Sequence, residues 1–210
     1  MKYLQYIFSL LFFCMLNAAY AQSAADELSK QLDAVHSMRA SFVQTVYDNK
    51  NKPIQQSYGR MALLRPGKFR WEVDKPIPQV IIANQTRLWI YDPDLEQVTI
   101  RPLKNAAGET PALLLSHTNM ALETEFNVRE MASHTSGWRW FSLQPKNADN
   151  VFSHIDMGFS QGQIHEMRLQ DHLGHMTRIQ FQKIAVNINL SPNIFIFKAP
   201  KSVDVINETR

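Results

Sequence analysis

Residues 60–76 read RMALLRPGKFRWEVDKP, and this stretch predicts a β-hairpin with a Pro-Gly turn. Because side chains alternate between the two faces of a strand, Met61 and Leu63 share one face with Arg65. The second strand carries three large apolar side chains on one face, namely Phe69, Trp71 and Val73. One face of the hairpin is therefore apolar and aromatic, with an arginine at its edge that needs hydrogen-bond acceptors.

The first 21 residues predict a secretory signal peptide. They carry one Lys near the start and an apolar run from Tyr6 to Leu16, and the small residues Ala19 and Ala21 are placed as an A-x-A cleavage site. The apolar run is shorter than the roughly 20 residues that span a bilayer. We therefore expect residues 1–21 to be cleaved and residues 22–210 to form a single domain outside the cytoplasm.

Composition and charge exclude several classes of function. The chain has 210 residues, a formal net charge of +3 and one cysteine, Cys14, which lies in the predicted leader. The mature chain is therefore expected to have no disulfide, no free thiol and no lipid anchor on cysteine. No run of Lys or Arg is longer than two residues, so nucleic acid is not an expected partner.

Periodicity predicts a mainly β domain with two helical elements. Residues 23–38 have apolar residues at spacings of three and four, and Ser23 stands as an N-cap. A short apolar helix is predicted after Thr110 and Pro111. Between these elements, period-two segments separated by turn residues predict an antiparallel meander: RASFVQTVYD, IQQSYGRMALLR, KFRWEVD, PQVIIAN, TRLWIYD, LEQVTIR, GWRWFSLQP, VFSHIDMGFS, QIHEMRLQD, HMTRIQFQKIAVN and IFIFKAP.

An antiparallel sheet of about ten strands coils strongly and either closes into a barrel or needs a cover on its concave face. The two helices are available as that cover. Aromatic pairs share faces by alternation: Phe69 with Trp71, Trp89 with Tyr91, and Trp138 with Trp140. From periodicity alone, packing in the sheet core is favoured over a ligand cavity.

Catalytic and metal motifs fit poorly. Residues 158–162, GFSQG, match G-x-S-x-G, but a nucleophile elbow needs a helix after Ser160, and the following QIHEMRLQD is predicted to be a strand. Four histidines lie near one predicted hairpin without the spacing of a zinc hydrolase motif, so a surface cluster is favoured over a metal site: His154, His165, His172 and His175. We expect no enzymatic activity, catalytic residue, metal or cofactor.

The chain resembles the LolA family of periplasmic lipoprotein carriers. The resemblance rests on the opening ADELSKQLDAVHSMRASFVQ, on LLRPGKFRWEVDKP, on TRLWIYDPDLEQVTIRPLKNAAGETPALLL and on the ending FIFKAPKSVDVI, in that order. It implies an unclosed, strongly curved antiparallel β half-barrel with a helical lid over the concave face. Ala112 is smaller than a good cover would need, and residues 117–137 match no part of the family pattern that we can identify.

The resemblance also implies a function and partners. A carrier of this kind accepts acylated lipoproteins from an inner-membrane lipoprotein-releasing ABC transporter, shields their acyl chains in an apolar cavity and delivers them to an outer-membrane receptor. It acts as a monomeric periplasmic chaperone in outer-membrane biogenesis. Alternatives are a LolA-like carrier or sensor of another hydrophobic ligand, such as a glycolipid or pigment precursor. The lipidated receptor is disfavoured because the mature chain lacks a cysteine.

Site residues follow from the resemblance by position. Arg65 matches the arginine that keeps the lid shut when the carrier is empty, through the orphan carbonyls of the lid helix. The alternative is that its stem lies along the sheet and its head reaches water. Further residues are expected in the lipid cavity or lid: Leu32, Leu63, Phe69, Trp71, Trp89, Leu113, Leu114 and Leu115.

Overall fold

The computed structural model describes residues 23–103, 111–116, 122–133 and 135–208. The predicted signal peptide and the predicted cap at Thr110 lie outside these residues. Within the described ranges, no helix has the length and apolar character needed to cross a bilayer.

Helix α1 comprises Ala24–Asp33 and begins where the sequence predicts. The Ser23 hydroxyl accepts a hydrogen bond from the backbone N–H of Asp26 at 3.0 Å, which caps the first turn. The predicted extent to residue 38 is wrong, because the first strand already begins at Ser37. The other helical elements are short: α2, Leu122–Glu125, and the 3₁₀ helices Pro93–Leu95, Pro111–Ser116 and Pro192–Phe195. The second of these 3₁₀ helices, Pro111–Ser116, is called the lid segment below.

Twelve strands form one sheet. In chain order they are β1 (Ser37–Tyr47), β2 (Pro53–Leu64), β3 (Lys68–Lys75), β4 (Gln79–Ala83), β5 (Arg87–Asp92), β6 (Gln97–Pro102), β7 (Phe126–Met131), β8 (Trp138–Pro145), β9 (Phe152–Ser160), β10 (Gln163–Asp171), β11 (Met176–Val186) and β12 (Asp204–Asn207).

The order of strands in the sheet is β12-β6-β5-β4-β3-β2-β1-β11-β10-β9-β8-β7. All neighbours are antiparallel except β12, which pairs parallel with β6. The fold is therefore mainly β and unclosed, as predicted. It is not one continuous meander, since two meanders, β1–β6 and β7–β11, meet at the β1–β11 pair. The chain passes from β6 near one end of this order to β7 at the other, and the lid segment lies on that passage.

Two faces of the sheet have different roles. The inner face carries the main core, in which side chains from most strands pack with α1 and the lid segment. Examples from the sheet are Phe42, Phe69, Ile90, Phe141 and Met167, all buried. The outer face carries a small second core of Ala62, Leu190 and Phe195. The helical cover predicted for the concave side is thus built from both helical elements that the sequence indicated.

One strand prediction is wrong, and one strand lies where the sequence predicted none. The segment IFIFKAP, predicted to be a strand, contains the end of a 3₁₀ helix and irregular chain that packs on the outer face. The last strand lies further on, at Asp204–Asn207. Strand β7 lies within the unassigned residues 117–137, where Leu122 and Phe126 are buried in the main core. The prediction for IFIFKAP is wrong because period-two apolar residues also occur where a short segment packs over a sheet without joining it.

Candidate functional site

Arg65 lies where β2 ends and both covering elements meet the sheet. Its Nη2 donates a hydrogen bond to the backbone carbonyl of Leu115 at 2.7 Å. Its Nη1 lies 3.7 Å from Oδ1 of Asp33, the last residue of α1, and the Arg65 side chain is only 4 % exposed. One buried cation therefore ties the sheet to α1 and to the lid segment, and the alternative with its head in water is wrong.

Backbone hydrogen bonds hold the same corner of the molecule. The N–H of Arg65 donates to the carbonyl of His36 at 2.9 Å, and the N–H of Gly67 donates to the carbonyl of Ser116 at 3.3 Å. Gly67 has φ of +64°, in the left-handed region that favours glycine. The β2–β3 turn therefore binds the last two carbonyls of the lid segment at once.

The electrostatics of Arg65 favour the closed arrangement. Burial lowers the pKa of the Arg65 guanidinium, and the nearby Asp33 carboxylate acts in the opposite direction. The group stays protonated at physiological pH. Lifting the lid segment away removes an acceptor from a buried cation, and a hydrogen bond to a charged group contributes about 1.5–3 kcal/mol.

The inner face beneath this corner is aromatic. Phe42 and Trp71 are stacked with ring centroids 3.6 Å apart, and Phe69 lies 6.2 Å from Trp71. Leu63 pairs across the hairpin with Phe69. These rings form a continuous apolar surface that faces the helical cover, and the alternation in the hairpin predicted that Phe69 and Trp71 share one face.

Most predicted cavity and lid residues lie in this core. Buried members of the main core are Leu32, Leu63, Phe69, Trp71, Leu113 and Leu115. Leu114 is half-buried and packs against them, and Ala112 is fully buried. The structure brings these residues together, and their role in binding a ligand stays a prediction.

Trp89 lies on the other face of the sheet. Its neighbours in β5, Leu88 and Ile90, belong to the main core, so strand alternation turns Trp89 outwards. It pairs with Ile82, which faces outwards beside Arg70. The prediction of Trp89 as a cavity residue is therefore wrong, because periodicity shows which residues share a face but not which face is inner.

Little space is left beside Arg65, where the cover meets the sheet. The cavity between α1, the lid segment and the sheet measures about 20 Å³ and is lined in part by Leu32, Leu63, Arg65 and Leu115. This is room for about one water molecule. The open apolar cavity expected from the resemblance is absent from this part of the structure, because the side chains of the cover occupy it. The structure is therefore that of a closed lid.

Arg139 is a second anchor of α1 that the sequence did not reveal. It donates to Oε1 of Glu27 at 2.7 Å and binds Glu130 on β7 with two hydrogen bonds, at 2.8 and 3.0 Å. The hydrogen bonds from Arg139 are the main cause of a lowered pKa in both glutamates. Helix α1 is thus held at its N-terminal half by Arg139 and at its last residue by Arg65. The two anchors are far apart in sequence, so no local pattern indicates them.

A larger cavity lies on the outer face. It measures about 250 Å³ and is lined by Arg39, Arg60, Arg70, Glu72 and residues around Ala62 and Ile194. Glu72 forms ion pairs with both Arg60 and Arg70. Because the cavity is separated from the lid by the sheet, it is not part of the candidate site.

Catalytic geometry is missing at the two places that suggest it. Ser160 ends β9, and the turn Gln161–Gly162 leads into strand β10, as predicted. Ser142 and Asp156 both approach His154, with oxygens 3.1 and 2.8 Å from its Nε2. A Ser-His-Asp triad requires the serine and the carboxylate on different ring nitrogens. This outer-face group therefore cannot relay a proton from Ser142.

The four histidines singled out in the sequence lie on the outer face or in a turn. His165 packs against Trp138, His172 Nε2 lies 2.8 Å from the Asn150 carbonyl, and His175 Nδ1 lies 2.9 Å from the Asp171 carboxylate. Among the described residues, no group of three or more His, Cys, Asp or Glu side chains is arranged to bind a metal ion.

Comparison with known proteins bears on this site. The family model described as "Outer membrane lipoprotein carrier protein LolA" matches residues 33–198. The outer-membrane lipoprotein carrier protein of Dechloromonas aromatica (strain RCB) is 38% identical over 208 residues, covering 99% of both chains. That of Methylococcus capsulatus (Bath) is 37% identical over 205 residues, covering 97% of this chain and 98% of the relative.

A solved structure shares the fold. An uncharacterized conserved protein from Thermus thermophilus superposes with a TM-score of 0.60 at 13% identity, covering 89% of this chain and 100% of that one. At that identity the likeness concerns the fold alone. The match to the family model and the relatives of nearly equal length together show that the chain belongs to the LolA family of outer-membrane lipoprotein carrier proteins.

Proposed function

We propose that this protein carries acylated lipoproteins through the periplasm, from an inner-membrane lipoprotein-releasing ABC transporter to an outer-membrane receptor. It acts by reversible binding rather than by catalysis, as one domain and one copy per cargo molecule. The observation that carries the proposal is the apolar interior closed by the Arg65–Leu115 hydrogen bond.

The free energy of exposing acyl chains to water explains why the cargo needs a carrier. Each buried methylene contributes about 0.8 kcal/mol, so one long acyl chain in water is unfavourable by on the order of 10 kcal/mol. An apolar surface such as that formed by Phe42, Phe69 and Trp71 recovers much of this free energy when the chain lies on it. Free diffusion of the cargo between membranes is therefore negligible without such a surface.

The stability of the closed lid opposes cargo binding and so permits release of the cargo. Cargo binding there must separate the lid segment from the sheet, because the cavity between them holds only about 20 Å³. Separation breaks the bond from Arg65 to Leu115 and exposes Leu113 and Leu115, which are buried when the lid is closed. A ligand shifts a two-state equilibrium only by its difference in affinity for the two states. The closed state thus competes with the cargo and lowers its net affinity.

The test is release of lipoproteins from the inner membrane. Spheroplasts holding newly labelled lipoproteins are incubated with the protein purified from the periplasm, and the supernatant is analysed by size exclusion. We expect lipoproteins to appear in a one-to-one complex. A cargo protein whose acylated cysteine is replaced by serine is the matched control and should form no complex. Absence of a complex, or extraction of a different lipid in its place, would contradict the proposal.

A further inference from the structure

One end of the sheet carries a row of exposed aliphatic side chains. Five connections lie at this end: β8–β9, β10–β11, β1–β2, β3–β4 and β5–β6, in the order in which they follow one another across the sheet. Each has one large aliphatic side chain in the turn or next to it. We call this set the aliphatic rim: Val151, Leu173, Ile54, Ile77 and Leu95.

The rim residues are among the most exposed large hydrophobic side chains of the described residues, at 51–74 %. Single exposed aliphatic residues are common and need no explanation. Here, however, all five connections carry one, although turns favour small and polar residues. At the opposite end, Met131 is the one large hydrophobic residue above 40 % exposure that borders a hairpin turn within the described ranges. Exposed aliphatic side chains at turns are therefore concentrated at one end of the sheet.

Strand register places the β1–β2, β10–β11 and β8–β9 connections nearly level, whereas β3–β4 is set back along β2, because Lys75 at the end of β3 pairs with Tyr58, four residues after Ile54. Tyr47 at the end of β1 pairs with Met176 at the start of β11, and Asp171 at the end of β10 pairs with Phe152 at the start of β9. The connections also touch, since His172 Nε2 lies 2.8 Å from the carbonyl of Asn150. The rim residues thus all belong to the end of the sheet away from Arg65.

The turns that carry the rim are held in place. Asp171 Oδ1 accepts hydrogen bonds from the backbone N–H groups of Leu173 and His175, both at 2.8 Å. Asp48 accepts similarly from Lys50 and Lys52, at 2.9 and 2.8 Å. These carboxylates fix the backbone beside the exposed side chains. The turn cannot move towards the sheet and bury Leu173 without losing these backbone hydrogen bonds.

We propose that the aliphatic rim makes shallow contact with the surface of a phospholipid bilayer. Neighbouring hairpin turns are two strands apart, about 10 Å, so the rim residues are separated from one another by polar chain. Protein hot spots are instead compact and contiguous. Isolated aliphatic residues along a border suit a fluid planar surface, which needs no shape complementarity and takes side chains to the depth of the headgroups.

The charges near the rim predict a contact that depends little on salt. Exposed Lys50, Lys52 and Lys75 can reach phosphate groups. Exposed Asp94 and Glu96 in the β5–β6 connection oppose them. Because the two signs are mixed, the apolar side chains dominate the binding. The inference concerns the outer end of the sheet and does not depend on what the interior carries.

The experiment measures partition onto protein-free vesicles of phosphatidylethanolamine and phosphatidylglycerol by cosedimentation. The rim variant is Ile77→Ser/Leu95→Ser/Leu173→Ser, and the matched control is Met131→Ser/Ile196→Ser/Ile206→Ser, which changes three exposed apolar residues outside the rim. We expect partition to fall at least about tenfold for the rim variant and to change less than about twofold for the control. Circular dichroism checks that both variants fold.

A second readout locates the contact. The one cysteine of the sequence lies in the predicted leader, so Ile77→Cys and Ile196→Cys each introduce a single thiol for an environment-sensitive fluorophore. We expect vesicles to shift the emission to the blue at position 77 and not at position 196. Equal loss of partition in both triple variants, or binding only to membranes that retain their proteins, would overturn the proposal, the latter in favour of a protein partner.

Discussion

Arg65 shows how one side chain can serve both folding and function. Its guanidinium is buried at the edge of an aromatic surface, donates a hydrogen bond to the Leu115 carbonyl and forms an ion pair with Asp33, and both partners lie elsewhere in the chain. A buried cation is unfavourable unless its donors are bonded. The free energy of the buried Arg65 guanidinium therefore depends on whether the lid segment is closed, which is the property that a latch requires.

Replacing Arg65 by Leu should weaken the closed state without emptying the core. Leu removes the hydrogen bond to Leu115 and leaves no buried charge unpaired, since the Asp33 carboxylate is half exposed, so we expect the open state to gain about 1.5–3 kcal/mol relative to the closed state. Bound cargo should then be retained, with transfer to the receptor at least about tenfold slower. Arg60→Leu, at an exposed arginine on the opposite face of the same strand, is the control. Normal transfer by Arg65→Leu would rule out the latch.

Gly59 is needed for the packing of the inner aromatic surface. A Cβ at this position would lie 1.9 Å from the carbonyl of Glu72 and 2.5 Å from the ring of Phe42. The carbonyl belongs to the neighbouring strand and cannot move without shifting the sheet. We expect Gly59→Ala to lower the free energy of unfolding by about 3 kcal/mol, measured by urea denaturation.

Gly158→Ala is the matched comparison for Gly59→Ala. There a Cβ would meet the ring of Trp140 at 2.7 Å and no backbone atom among its three nearest neighbours. Trp140 is half-buried on the outer face, so its ring can move towards solvent. We expect a smaller loss of stability than for Gly59→Ala. Equal losses would show that the backbone contact at Gly59 is not the decisive one.

Helix α1 is an element whose position depends on charge at its N-terminal half. Arg139 lowers the pKa of Glu27 and Glu130, so their stabilising bonds are complete above the ordinary glutamate pKa, about 4.3. They are lost as the pH falls through the lowered values. Closure by α1 should therefore be unchanged near neutral pH and weaken only in acid.

Chemical shifts of the α1 amides, followed by NMR from about pH 6 to about pH 3, measure this dependence. We expect a transition below the ordinary glutamate pKa in the unmodified protein. In Glu27→Gln the transition should be reduced, because the amide does not titrate there. An identical transition in both proteins would assign the pH dependence to other groups.

At the scale of the whole molecule, binding of an acyl chain requires the lid segment, which is closed in the structure, to move away from the sheet. A cavity of about 20 Å³ cannot take an acyl chain. We expect an acylated ligand to speed amide hydrogen exchange in residues 113–116 and to leave the central strands β1 and β11 unchanged. Mass spectrometry of the free and loaded protein measures both. Slower exchange in the lid segment on loading would contradict opening.

Much of the architecture follows from local patterns. The hairpin of β2 and β3, the capped start of α1 and the strand after Ser160 each depend on alternation, a cap or a turn within a few residues. The sequence also indicated Arg65 as the residue whose donors needed distant acceptors. For the hairpin, the helix cap and the strand after Ser160, the interactions that decide the structure are close in sequence.

Other features depended on tertiary structure alone. Alternation placed Trp89 and Tyr91 on one face, but the face became outer only when Leu88 and Ile90 packed beneath the cover. The joining of two meanders at β1 and β11 and the anchor from Arg139 to Glu27 link residues far apart in the chain. The sequence by itself determined which side chains stand together on each strand. Only the folded sheet decided which face is roofed and how fully it is filled, because burial depends on contacts between distant segments.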